Sequence, residues 1–148
     1  MAKVGRAARV ASRQRTEIIT GNKTIASAET GELYLINYNS GATITITLPA
    51  VQEGAYFRFQ FMSEMSAGSA QVDIAASGGA KMKGTLVNYT YHASNDVNVK
   101  TRKDDGSDTQ IELASTVHVG SYIDIYCDGT DWQAGGVVIS SGATGVFA

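Results

Sequence analysis

Apolar residues recur at every second position through the body of this chain, and that period constrains the fold more than any other feature. Ala42, Ile44, Ile46 and Leu48 alternate with Thr43, Thr45 and Thr47. Phe57, Phe59 and Phe61 alternate with Tyr56, Arg58, Gln60 and Met62, and Ile123, Ile125 and Cys127 with Tyr122, Asp124 and Tyr126. A helix would group apolar residues at i, i+3, i+4 and i+7, whereas successive residues of a strand point to opposite faces. Weaker alternation marks 16–20, 23–27, 33–38, 71–76, 82–87, 97–102, 109–115 and 131–139 as further strands. Eight to eleven short strands at this spacing predict an all-β chain, with one β-sandwich or jelly-roll-like domain and an extended basic N-terminal arm.

The punctuation agrees. Asn39-Ser40-Gly41, Ser77-Gly78-Gly79, Asp104-Asp105-Gly106 and Asp128-Gly129 all fall between alternating runs. Asp128-Gly129 is expected at the centre of a two-residue hairpin loop, joining the strand that ends at Cys127 to the one carrying Trp132. Sixteen glycines against the single Pro49 suit many tight turns. A length of 148 residues fits one domain. The organisation expected is a basic arm over 1–15, a β body over 16–139 and a C-terminal tail over 140–148, with no internal repeat.

Charge is unevenly placed. Residues 1–15 hold Lys3, Arg6, Arg9, Arg13 and Arg15 and no acid, which leaves seven of the 12 basic residues to face 14 acids in the body. The arm could contact nucleic-acid phosphates, meet acidic patches on a protein, or remain a solvated tail. An acidic body would repel the nucleic-acid backbone that the arm attracts, so nucleic acid is not the expected ligand and protein docking leads.

Equipment for catalysis is missing from the pattern. His92 and His118 stand alone, outside any zinc-binding spacing. Cys127 alternates with apolar residues and is expected in the core, not as a nucleophile. Asp104, Asp105 and Asp108 lack the closing glutamate of a calcium loop and predict a solvated acidic turn. The expectation is a non-enzyme with no catalytic residue, no metal and no cofactor. A single cysteine excludes an intrachain disulfide and favours folding in a reducing cytoplasm. No stretch approaches about 18 consecutive apolar residues, so no membrane partner is expected. Tyr34, Tyr38, Tyr56, Tyr89, Tyr91, Tyr122, Tyr126 and Trp132 could stack sugars or bases, but tyrosine on outward strand positions also serves subunit interfaces. Tyr56, Arg58, Gln60, Tyr122 and Tyr126 form the candidate subunit-interface face. Charged residues make up only 18% of the chain, which suits a partly covered surface.

Two stretches carry a resemblance. In Gly31–Phe61, Thr45-Ile46-Thr47-Leu48-Pro49 leads through Gly54 to Phe57-Arg58-Phe59. In Gly120–Gly136, Asp128-Gly129-Thr130-Asp131-Trp132 closes a late hairpin. Together they resemble β-rich virion proteins of tailed bacteriophages, among them capsid cement (decoration) proteins and the terminal domains of head and tail fibres. The resemblance implies a β body, usually trimeric, with no catalytic residues. It also implies synthesis in a bacterial host cytoplasm and a place on the capsid surface of the virion. Only some 15 to 30 residues precede the body, which suits a cement protein docked on the major capsid protein better than a fibre with a long shaft. The alternative is a head- or tail-fibre module that binds a receptor glycan.

Overall fold

The computed structural model describes residues 15–27, 32–66, 68–91, 97–114, 116–141 and 146–148. Lys3, Arg6, Arg9, Arg13 and His92 lie outside the described residues. Among the described residues twelve strands run in chain order: β1 (Thr16–Ile19), β2 (Lys23–Thr24), β3 (Glu32–Ile36), β4 (Thr43–Thr47), β5 (Tyr56–Phe61), β6 (Gln71–Ala75), β7 (Met82–Tyr91), β8 (Val97–Lys103), β9 (Gln110–Ala114), β10 (Tyr122–Cys127), β11 (Trp132–Ser140) and β12 (Val146–Phe147). No helix occurs among the described residues, and the chain is all-β. Each of the eleven alternating runs coincides with a strand.

The strands form two sheets. The larger has seven in the order β1-β3-β5-β10-β11-β7-β8, and the smaller has five in the order β12-β9-β6-β4-β2. Half of the pairings are parallel: β1 with β3, β3 with β5, β11 with β7, β2 with β4, and β4 with β6. The cause is the route of the chain. Parallel neighbours need a crossover between them, and from β1 to β6 the chain alternates between the sheets. Each of β2 to β5 therefore serves as the crossover between its two neighbours in the other sheet, while β11 returns parallel to β7 by the longer path through β8, β9 and β10. Alternation reveals which residues share a face but not this pairing, because a parallel and an antiparallel strand have the same period of two.

Both sheets bury one face in a common core. Phe57, Phe59, Phe61, Ile123, Ile125 and Trp132 from the larger sheet join Ile44, Ile46, Val72, Ile74, Ile111 and Leu113 from the smaller. The Tyr34 ring stacks on Phe59 with centroids 5.2 Å apart, and Phe57 meets Trp132 at 5.8 Å. Each such pair contributes roughly 0.5–1.5 kcal/mol beyond the area it buries. Cys127 is buried with them, as its alternation predicted.

Two local expectations change. The loop between Cys127 and Trp132 has four residues, since these two are themselves cross-strand partners. Of its residues only Gly129 takes a positive φ, 99°. Asp128 instead accepts the N–H groups of Thr130 and Asp131 on Oδ1, at 2.9 and 2.8 Å, so its carboxylate closes the turn. The tail beyond Ile139 also does more than its composition suggests. Ser140 ends β11, and Phe147 is buried at the edge of the smaller sheet. The Ala148 carbonyl accepts from the Thr109 and Gln110 N–H groups.

Neighbouring glycines of β11 obey different rules. A Cβ on Gly136 would lie 2.3 Å from the Tyr122 carbonyl oxygen and 2.9 Å from Ile123 Cα, both backbone atoms that cannot yield. A Cβ on Gly135 would meet nothing nearer than the Thr85 carbonyl oxygen at 4.0 Å. Gly136→Ala should therefore destabilise the fold by about 2 kcal/mol or more, while Gly135→Ala stays within about 0.5 kcal/mol of the parent. Urea denaturation at low protein concentration measures both, and equal losses would show that the two sheet faces have been misassigned.

Candidate docking face on the seven-stranded sheet

Because every second side chain enters the core, the others form the outer face of each sheet, and ladder register places them in rows. Across the larger sheet one row runs Ile18, Leu35, Gln60, Tyr122, Val137, Val87, Thr101. The next runs Thr16, Leu33, Arg58, Asp124, Gly135, Thr85, Lys103. Ile139, Tyr89 and Val99 continue the face at one end, and Tyr56, Tyr126 and Gln133 at the other. Ile18, Val99 and Tyr126 are more than half exposed, at 54, 57 and 53%. An outer face with this much aliphatic and aromatic surface differs from the polar row expected where a sheet meets water.

The smaller sheet supplies the comparison within the same molecule. Its outer positions are Thr24, Thr43, Thr45, Thr47, Gln71, Asp73, Ala75, Gln110, Glu112, Ala114 and, on the β12 edge, the exposed Val146. They are hydroxyls, amides, carboxylates and two alanines, with one valine at the edge. Asp73 and Glu112 are direct cross-strand partners, each accepting from its own strand's glutamine: Gln71 Nε2 at 2.7 Å and Gln110 Nε2 at 2.7 Å. Asp73 is only 8% exposed, and burial pushes its carboxyl above the usual range, with the Glu112 charge adding to the effect and the Gln71 bond opposing it.

Near the centre of the larger face stands a polar cluster that neutralises itself. Arg58 grips Asp124 with both Nε and Nη2 at 2.6 Å, and the Tyr56 hydroxyl donates to Asp124 Oδ1 at 2.6 Å. The Arg58 guanidinium carbon lies 4.8 Å from the Tyr122 ring centroid, within cation–π range. The Arg58 bonds hold the Asp124 carboxyl below its usual range, with a smaller contribution from Tyr56. Burial and the bond to Asp124 push the Tyr56 phenol up. The two charged side chains remain 40 and 29% exposed, so solvent screens the pair, and its contribution to stability is on the order of 1 kcal/mol or less. Its effect on the surface is larger: it leaves the middle of the face without net charge.

The structure thus brings Tyr56, Arg58, Gln60, Tyr122 and Tyr126 together on one outer face. Sequence reasoning missed Leu33, Leu35, Val87 and Val137, whose rows depend on the parallel ladders. It also set Tyr34, Tyr38 and Trp132 beside the stacking candidates, yet all three are buried in the core. Of the arm, only Arg15 is described, 3.9 Å from Glu32 Oε1. His118 lies 3.6 Å from Glu64.

Other polar clusters are self-satisfied. In the acidic turn, Asp104 accepts the Gly84 and Gly106 N–H groups, Asp105 accepts Ser107, and Asp108 accepts Asp105. A cleft of about 350 Å³ lined by Ala50, Val51, Ser77, Gly78, Gly79, Ala80 and Thr130 has Asp131 as its one charged wall. That carboxylate is taken up by the Lys81 N–H at 2.8 Å and Lys83 Nζ at 2.6 Å. Among the described residues no three His, Cys, Asp or Glu side chains cluster as metal ligands, and no helix is long and apolar enough to cross a membrane. No protein-family model, curated protein or solved structure matches the chain.

Asp73 and Asp124 shift in opposite directions and predict opposite pH effects. A carboxyl raised in the folded state binds its proton more tightly there than when unfolded, so its stabilisation is complete below the unfolded value of about 3.9 and is lost as pH rises. Asp73→Asn should then be more stable than the parent at pH 7, by a few tenths to about 1 kcal/mol, with the difference closing near pH 3. Asp124→Asn should show the reverse: less stable at pH 7, with the gap shrinking as acid protonates Asp124 in the parent. Melting temperatures across pH 3–7 test both, and parallel pH curves for the two variants would contradict the environments described here.

Proposed function

We propose that this chain is a non-enzymatic structural protein of a phage virion, a capsid cement (decoration) protein that works by burying surface between itself and its protein neighbours. The observation that carries this reading is the contrast between the two outer faces. One is polar and acidic, suited to water; the other is apolar, rich in tyrosine and neutral at its centre. Interface centres are depleted of charge and enriched in tyrosine and arginine, which describes the larger face.

In this reading the β body is a compact two-layer block, sandwich-like in that both sheets share one core. The basic arm supplies the contact to the major capsid protein, while the larger face meets a protein neighbour. Decoration acts by mass action: each copy bound to the closed shell lowers its free energy relative to the open one, and many weak contacts add through avidity. A second reading, a fibre module that binds a receptor glycan, draws on the exposed Tyr126 and on the Tyr122 ring beneath Arg58.

Co-sedimentation with particles that lack this chain tests the assignment. Full-length protein should pellet with them, Tyr126→Glu should bind at least tenfold more weakly, and deletion of residues 1–14 should weaken binding while leaving the melting temperature unchanged. Absence of any binding by the parent, together with retention on a glycan array, would replace the cement reading by the fibre one.

A further inference from the structure

Glycine inside a strand weakens it, and it is retained for a turn, for a close approach within the fold, or because something outside comes close. In β11 the two adjacent glycines separate these causes. Gly136 is required by the backbone of β10, as its clash with Tyr122 shows. Gly135 has no such internal reason. Its φ lies outside the left-handed region, a Cβ there would meet only the Thr85 carbonyl oxygen at an unstrained 4.0 Å, and it belongs to a regular ladder between Asp124 and Thr85. It points to the outer face, so the missing side chain leaves a notch there. Asp124 and Thr85 flank the notch across the sheet, and Gln133 and Val137 flank it along the strand.

The notch sits within the interior of the face, where docking hot spots concentrate. It is the fifth position of a seven-residue row, on one of the two longest strands of the sheet. Resting on the reading of this face as a docking surface, we infer that its occupant is a second copy of the chain, packed about a two-fold axis near Gly135 so that the two sheets approach closely there.

Three observations select a second copy over other partners. The first is charge. A two-fold contact brings a surface against itself, so any net field would repel. Arg58 and Asp124 cancel within one copy at 2.6 Å, and Lys83 and Lys103 lie at the margin, so the centre has nothing to repel. The second is area. Seven strands at about 4.8 Å spacing, with a mean length of some seven residues at about 3.3 Å each, give a face of roughly 750 Å². That is close to the approximately 800 Å² which each partner contributes to a standard interface, and far larger than one sugar ring covers. The third is composition: Leu33, Leu35, Tyr122, Val137, Val87 and Tyr126 match their own kind across such an axis. The trimer implied by the phage resemblance would need a different patch on each partner, whereas this neutral surface is complementary to itself.

Light scattering and analytical ultracentrifugation of the full chain decide the matter. At about 100 µM, a standard-size interface of micromolar or tighter affinity gives a species of twice the monomer mass. Gly135→Leu fills the notch and should shift the parent to monomer, weakening association at least tenfold with no loss of melting temperature in dilute solution. If Gly135→Leu fails to fold, Tyr126→Glu serves instead, because its side chain is exposed and it places like charges on both approaching faces. A monomeric or trimeric parent, or a Gly135→Leu or Tyr126→Glu variant that remains dimeric, overturns the two-fold contact. A monomeric parent that still pellets with particles overturns only this inference and leaves the cement reading standing. Failure of particle binding by a dimeric parent does the opposite.

Discussion

Two sheets with a single core between them leave every strand with one buried and one unassigned face, and the rest of the molecule follows from how that second face is used. On the inner side the requirement is strict. A one-residue slip would move Phe57, Phe59 and Phe61 into water and Arg58 into the core, so register is firmly held. On the outer side nothing within the chain dictates the residues. The smaller sheet uses that freedom for threonine, glutamine and carboxylates, and the larger uses it for leucine, valine and tyrosine. One chain under one solvent condition has therefore produced two different outer surfaces.

The outer face is also where local rules yield. Asp73 and Glu112 oppose each other across an antiparallel pair, an arrangement that destabilises when both are charged. The glutamines at their sides moderate the cost, while burial and the Glu112 charge push the Asp73 carboxyl up. Arg58 and Asp124 follow the opposite principle, pairing unlike charges across β5 and β10 and enclosing them with Tyr56 and Tyr122. The first arrangement is marginal. The second removes charge from a surface that would otherwise resist burial.

Much of this was legible in the sequence, and the reasons are specific. Phe57, Phe59 and Phe61 announce their burial because the period of a strand and the chemistry of the side chain agree. Tyr56, Arg58, Gln60, Tyr122 and Tyr126 fall on one outer face because β5 and β10 are each read correctly in isolation and happen to be neighbours. The neighbours themselves were not legible. That Leu35 lies beside Gln60, or Val137 beside Val87, depends on parallel ladders formed between segments 25 and 50 residues apart. Alternation carries no information about pairing partners. Gly135 and Gly136 look identical in the chain, and only the positions of Thr85 and Tyr122 separate a permissive glycine from an obligatory one. β12 was missed because two residues are too few for a period, although Phe147 supplies the apolar anchor.

Where such a molecule associates is decided by comparing its face with its edges. A β protein can join another by adding strands at a sheet edge or by burying a face. All four edges here are poor templates. β2 and β12, which bound the smaller sheet, have two residues each, and β1, at one side of the larger, has four. β8, at the other side, is seven residues long, but it carries Lys100, Arg102 and Lys103, and lysine on an edge strand discourages further pairing. The edges thus hold strand addition in check, while the face of the larger sheet, with its central charges paired and a side chain absent at Gly135, presents no equivalent barrier. On the two-fold contact proposed above, association through the face would also close: two faces bury each other and stop, where an open edge would go on adding strands.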